Sequence, residues 1–327
     1  MTKKKWTVYI PEFLPPTDFQ RKILEPVAEI KEGLAKDQTE LISITRTVDA
    51  IILSAKTQMT RTVIEACPNL KIIAKYGVGI ENIDLEAATD MGIPVTYNPG
   101  ANADAVATLT IGLLLAVVRR IQIGKSHIKE AGVWRDPKFI GDDITDSTVG
   151  IIGYGNIAKQ TIRKLQGFDV KRIMVFTETR GHEKAEYPNM EFADLQHLLK
   201  ESDFVSIHKS LTPKSRGLIG AAELRTMKKS AYLINTSRGG LVKEKELIQA
   251  LRDGVIAGAA LDVFEKEPPD TDNPLIDMEN VVMTPHIGGN THKTKVSNFS
   301  DTVSNVVRML QGQKVDLKFA ANPEVFK

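Results

Sequence analysis

TVGIIGYGNIA, Thr148 to Ala158, lies almost midway along a chain of 327 residues. A short apolar run (Val149, Ile151, Ile152) leads into Gly153, Gly155 and Ala158 at the spacing GxGxxA, followed by a helix-compatible stretch, Lys159 to Phe168. Strand, glycine turn and helix in that order are how a dinucleotide-binding unit is written. Gly153 permits the tight turn, Gly155 lets a pyrophosphate approach the backbone, and the small Ala158 lets helix and strand pack closely. Asn156 and Ile157 open the helix, where free N–H groups and the dipole favour negative charge. Such turns are common between strands and helices, so this one needs support from elsewhere in the chain. Its central position implies a partner domain that comes first.

Outward from the turn, strand and helix patterns alternate on both sides. Before it stand the stretches TVYI (7–10), VDAIILS (48–54), LKIIAKYGVGIENID (70–84) and IPVTY (93–97), separated by amphipathic stretches near 18–36, 60–67 and from Leu85. A long apolar helix is expected over 101–121; its apolar part, Leu109 to Val118, is too short for a bilayer and reads as a buried helix between domains. After Thr148 come RIMVFT (172–177), DFVSIH (203–208), AYLINTS (231–237), IAGAALDVF (256–264) and VVMTPH (281–286). With the glycine strand these make six strand candidates, the number of a doubly wound dinucleotide domain. The last long helix, from Thr291 to about Leu310, has no strand left to follow it and is expected to return to the first domain. The expectation is α/β, with two Rossmann-like doubly wound parallel-sheet domains: a discontinuous, flavodoxin-like substrate domain, 1–100 plus 290–327, and a dinucleotide-binding domain, 101–289.

Composition narrows the function. Lys and Arg number 43 against 41 Asp and Glu, a formal charge of +2, which does not resemble a nucleic-acid-binding surface. The start, MTKKKWTVYIPEF, has no apolar leader segment, and no window approaches a membrane span, so no membrane association and a soluble cytoplasmic protein are expected. The single Cys67, before Pro68, reads as a helix-end core residue, and the six histidines show no metal-ligand spacing, so no protein-built metal site is expected.

In open α/β sheets, ligands bind beyond the carboxyl ends of the strands. Arg238 follows AYLINTS, Glu267 lies just past DVF, and His286 ends VVMTP. A guanidinium can clamp a carboxylate and polarise the adjacent carbonyl, an imidazolium can supply a proton to the carbonyl oxygen, and a carboxylate can raise the imidazole pKa. Hydride transfer to or from a 2-oxo acid needs that set. Taken singly, Arg238 could be a surface turn residue, Glu267 a solvated side chain and His286 a satisfied strand-end histidine.

The segments TVGIIGYGNIA, ESDFVSIHKSLTPKSRGLIG, YLINTSRGGLV, GAALDVFEKEPP and MTPHIGGNT resemble, in this order and spacing, the successive signatures of the D-isomer-specific 2-hydroxyacid dehydrogenases, which include phosphoglycerate dehydrogenases and glyoxylate/hydroxypyruvate reductases. The resemblance implies that Arg238 binds substrate, His286 is the acid/base and Glu267 its partner, while Asp262 holds the nicotinamide carboxamide. It assigns the cofactor to Gly153, Gly155, Asn156, Ile157, Thr177, Arg180, His208, Thr236, Asp262 and Gly288. In KYGVGIENID, Lys75 and the backbone of Val78 and Gly79 are the expected substrate contacts. The family also implies homodimers, with the arm near 120–146 contributing to the contact.

The chain departs from the pattern in three places. The end of the second cofactor-domain strand is usually acidic, to accept bonds from ribose hydroxyls; here, 24 residues after Gly153, stands Thr177, followed by Glu178, Thr179 and Arg180. A neutral residue with a nearby arginine suits NADP and Glu178 suits NAD, so NAD or NADP is expected, with the balance toward NADP. Where phosphoglycerate enzymes carry arginines, this chain has Leu53 and Lys75. Lys56 and Lys75 could meet a phosphate only as point charges, so 3-phosphoglycerate is possible rather than favoured. Ser210 stands where Pro is frequent, with no consequence that follows. The sequence read ends at Lys327, so feedback control through an appended regulatory domain is not expected. The resulting expectation is an NAD(P)-dependent oxidoreductase of small 2-oxo and D-2-hydroxy acids. The alternative is an NAD(P)-sensing binding protein of the same fold, which need not retain Arg238, Glu267 and His286 together.

Overall fold

The computed structural model describes residues 5–11, 16–54, 56–131, 137–178 and 184–326. Two compact units divide the chain: Met1–Asn102 with Thr291–Lys327, and Ala103–Asn290.

The first unit holds a five-stranded parallel sheet of β1 (Trp6–Pro11), β2 (Ala28–Gly33), β3 (Ala50–Leu53), β4 (Ile72–Lys75) and β5 (Val95–Thr96), in the order β2-β1-β3-β4-β5. Both faces are covered by helices, so the inner strands β3 and β4 run apolar on both faces rather than alternating, up to Lys75 at the end of β4. Tyr9, Ile51, Leu53, Ile73 and Val95 face α2 (Gln38–Thr45), α3 (Arg61–Glu65) and α4 (Leu85–Asp90), after a first helix α1 (Asp18–Leu24). Their neighbours Val8, Ile10, Ala50, Ile52, Ile72 and Ala74 pack on the other side with Leu24 of α1 and with Phe299, Val303, Val306 and Leu310. Those last four, spaced 4, 3 and 4 apart, form one stripe of the C-terminal helix His292–Leu310. Burying each contributes about 1.5–3 kcal/mol, which is why this segment belongs to the first unit despite its place at the end of the chain.

The amphipathic stretch near 18–36 proves to be two elements. Its helix ends at Leu24, and AEIKEG becomes the edge strand β2, whose solvent side tolerates Glu29 and Glu32.

The second unit carries a seven-stranded parallel sheet, with β6 (Thr148–Ile152), β7 (Arg172–Phe176), β8 (Met190–Phe192), β9 (Phe204–Ile207), β10 (Tyr232–Asn235), β11 (Gly258–Leu261) and β12 (Val281–Met283) in the order β12-β11-β10-β9-β6-β7-β8. This is one strand more than the six expected: β8, a three-residue edge strand with two exposed side chains, shows no apolar run to read. The strand order reverses between β6 and β9, so the crevice beyond their carboxyl ends is the ligand-binding position of a doubly wound sheet.

One face packs on α5 (Ala103–Val118) and α7 (Asn156–Leu165), the other on α8 (Leu195–Glu201), α9 (Ala221–Thr226) and α10 (Glu244–Arg252). The helix expected over 101–121 ends earlier. Arg120 takes a left-handed φ of 53°, and α6 (Ile121–Ala131) departs at 59° to α5. No single helix among the described residues is long and apolar enough to cross a membrane. The C-terminal helix His292–Leu310 is α11.

Candidate active site

The turn after β10 is built by Asn235. Its Oδ1 accepts from the Ser237 N–H (3.0 Å) and its Nδ2 donates to the Arg238 carbonyl (3.0 Å), while Ser237 Oγ donates to Ile207 O (2.8 Å). These bonds aim Arg238, whose Nη1 donates to the Ser237 carbonyl at 2.9 Å. The next residue must be glycine, because a Cβ on Gly239 would lie 1.9 Å from the Phe264 carbonyl carbon and oxygen. That close approach sets the β10 turn against the loop after β11, which carries Glu267.

His286 Nδ1 meets Glu267 Oε2 at 2.7 Å, and Glu267 Oε1 accepts from the Phe264 N–H at 3.2 Å. The bond to Glu267 lifts the His286 pKa above the ordinary imidazole value; burial works against it, and the Glu267 and Asp262 charges add to the lift. Burial pushes the Glu267 carboxyl upward, but the hydrogen bond and charge of His286, the Phe264 N–H and the Arg238 charge together hold it below the usual carboxylate range. With Nδ1 engaged, Nε2 is the nitrogen left to exchange a proton with a ligand.

His286 itself is left-handed, with φ 52°. Such a conformation costs a non-glycine residue on the order of 1–3 kcal/mol and persists only where the surroundings over-determine it. Asp262 does so here. It is 1 % exposed; Oδ1 accepts from Thr284 Oγ1 (2.6 Å) and Ile287 N (2.8 Å), Oδ2 accepts from Gly288 N (2.8 Å), and its carbonyl accepts from His286 N (2.9 Å). The carboxylate therefore organises the TPHIGG turn, a role not read from the sequence.

Around the glycine turn, Gly153 has φ 102°, and a Cβ there would lie 2.3 Å from the His208 carbonyl oxygen, whereas a Cβ on Gly155 would meet nothing within 4 Å. The α7 N-terminus, with Asn156 and Ile157 in its first turn, has no side-chain cap on its N-cap Gly155. Thr236 is buried, with its hydroxyl 2.8 Å from that of Thr110 on α5. His208 is buried with Nε2 on Ser206 Oγ (2.9 Å); burial lowers its pKa to about 3, and its Nδ1 has no partner among the described residues. An open glycine cradle, an uncapped helix start and an orphaned imidazole nitrogen fit a dinucleotide. Thr177 ends β7, while Arg180 lies outside the described residues, as does part of the arm near 120–146.

The first unit presents its own candidates in the loop after β4. Lys75 is 3 % exposed, with Nζ 2.6 Å from Asn82 Oδ1, and Val78 and Gly79 are half-buried just beyond it. Asn82 Nδ2 in turn donates to the carbonyls of Ser54 (2.9 Å) and Thr57 (2.5 Å).

Residues 111–288 match the family described as D-isomer specific 2-hydroxyacid dehydrogenase, NAD binding domain. The chain belongs to the D-isomer specific 2-hydroxyacid dehydrogenases. A glyoxylate reductase of Thermofilum pendens is 39 % identical over 312 residues, 94 % of this chain and 92 % of that protein. A D-3-phosphoglycerate dehydrogenase of Methanocaldococcus jannaschii is 39 % identical over 293 residues, 89 % of this chain, which spans only 55 % of that longer relative. Among solved structures, an acyclic imino acid reductase in complex with NADPH and D-Arg superposes with a TM-score of 0.85 at 26 % identity, covering 94 % of this chain and 97 % of that one. As a D-2-hydroxyacid dehydrogenase, this protein is an oxidoreductase moving a hydride between a nicotinamide cofactor and 2-hydroxy acids.

Proposed function

We propose that this dehydrogenase reduces short, unphosphorylated 2-oxo acids of the glyoxylate or hydroxypyruvate kind with NAD(P)H, as a homodimer in the cytoplasm. The observation that carries the reading is the 2.7 Å His286–Glu267 pair, with Glu267 on the loop whose Phe264 backbone is packed against the Arg238 turn. The bound nicotinamide supplies or accepts the hydride. Arg238 takes the substrate carboxylate with two parallel N–H donors and polarises the adjacent carbonyl. His286, protonated through its bond to Glu267, gives the Nε2 proton to the carbonyl oxygen, and in oxidation neutral His286 takes it back. Asp262 holds the imidazole in place through the turn it organises. In the first unit, Val78 and Gly79 are assigned to the substrate with Lys75 behind them. The homodimer follows the family resemblance. The cytoplasmic placement agrees with a lone buried Cys67 that engages no disulfide.

Lys75 supports an unphosphorylated substrate. Its covered ammonium donates to Asn82 and is a point charge without the two-toothed fork that suits a phosphate. In a panel of glyoxylate, hydroxypyruvate and phosphohydroxypyruvate, the last is expected to show a kcat/KM about tenfold or more below the best substrate, the worth of one lost charge-assisted hydrogen bond. Preferred use of phosphohydroxypyruvate would overturn this assignment.

Glu267→Gln tests the acid/base pair through pH. Reduction needs the imidazolium, and the Glu267 bond raises its pKa, so wild-type reduction persists to higher pH before it falls. The variant is expected to move that alkaline limb of kcat/KM to lower pH, and to move the acidic limb of oxidation in the same direction. Unshifted limbs would contradict the pairing.

A further inference from the structure

We propose that Lys209 is the residue that admits a 2′-phosphate on the adenosine ribose, and so opens this site to NADP(H); the inference rests on the dinucleotide-dependent reading above. It starts from register. Phe176 at the end of β7 and Ile207 at the end of β9 both pair with Ile152 of β6, so Glu178 and Lys209 each stand two residues beyond the same level, on either side of the glycine turn. Strands two apart in a sheet are separated by about 10 Å. Lys209 Nζ nevertheless meets Glu178 Oε2 at 3.0 Å, so the two side chains reach toward each other across the mouth of the Gly153–Gly155 turn. The end of the strand after the glycine helix is where a dinucleotide fold receives the ribose 2′ position. The ion pair therefore lies at the group that distinguishes the two cofactors.

The two partners are unequal. The Lys209 side chain is 18 % exposed and that of Glu178 is 60 % exposed, so the ammonium is held in place and the carboxylate is the partner that yields to solvent or to a ligand. An exposed ion pair of this kind contributes little, and exchanging Glu178 for a phosphate dianion replaces one salt contact by a stronger one. Lys209 thus does two things. Without a 2′-phosphate it neutralises Glu178, and with one it supplies the cation that meets it while the exposed Glu178 side chain turns to solvent. With Thr177 at the strand end, no second carboxylate stands in the usual place, and Lys159, on the helix after the turn, is 3.6 Å from Glu186. When NAD(H) binds instead, Glu178 remains available to the ribose hydroxyls, so the pair serves both cofactors and Lys209 biases the choice.

The test is calorimetric and needs no turnover. Dissociation constants for NADPH, NADH, 2′,5′-ADP and 5′-AMP are measured on the full-length wild type and on Lys209→Met, Lys209→Arg and Glu178→Gln. Lys209→Met is expected to weaken NADPH and 2′,5′-ADP by about tenfold while leaving NADH and 5′-AMP unchanged. Lys209→Arg restores both, and Glu178→Gln tightens NADPH. Equal loss of NADPH and NADH in Lys209→Met, or no loss of NADPH, overturns the proposal while the dehydrogenase reading stands. A wild type that binds neither nucleotide overturns both.

Discussion

Replacing His286 with Asn is expected to lower kcat/KM for 2-oxo acid reduction by about 10²–10⁴-fold, the usual contribution of a positioned acid/base. Asn is the informative replacement because of the backbone. His286 sits at φ 52°, a region that Asn enters more readily than most residues, so the variant keeps the turn without new strain. Its amide can still donate to Glu267, and Asp262 still has its bonds to Thr284, Ile287 and Gly288. What disappears is the proton. Cofactor affinity and melting temperature should therefore stay near wild type while turnover falls. A loss of less than about tenfold would contradict the acid/base role.

Arg238→Lys is expected to cost about 1.5–3 kcal/mol of transition-state binding, or roughly ten- to 150-fold in kcat/KM for the oxo acid. The charge survives, but a lysine is a point charge on a flexible stem and cannot make two parallel contacts to a carboxylate. Asn235, Ser237 and Gly239 hold the backbone around it, so the turn should persist although the Arg238 Nη1 bond to the Ser237 carbonyl is lost. Steady-state kinetics and NAD(P)H titration separate the outcomes: oxo acid use should fall while cofactor affinity holds. An equal loss of both would remove Arg238 from substrate binding and make it a structural residue of the turn.

Much of this was legible along the chain, and the exceptions have physical causes. Inner strands such as AIIL and GAAL, buried on both faces, announce themselves as continuous apolar runs. Edge strands do not: in AEIKEG and MEF exposed charged residues interrupt the apolar pattern, so periodicity misses them. Arg238, Glu267 and His286 could be nominated because each follows an apolar run that ends at the ligand-binding edge of a parallel sheet. The support beneath them was hidden. Asp262 looked like a cofactor residue by resemblance, but its grip on the TPHIGG turn depends on backbone N–H groups 25 and 26 residues away in the chain. The Lys209–Glu178 pair was invisible for the same reason, since 31 residues and one intervening strand separate its members.

The order of residues along the chain was enough to give the kind of protein: two parallel α/β units, a glycine turn for a dinucleotide, and three chemical groups at strand ends. Local pattern suffices for these because apolar periodicity and glycine spacing act within a single strand, turn and helix. Folding is what brings one oxygen of Glu267 to Nδ1 of His286, holds that histidine in a left-handed turn, and sets Lys209 facing Glu178 across the cofactor cradle. Those are matters of ångströms between segments distant in sequence. Strand register and close backbone approach, as at Gly239 and Phe264, set them.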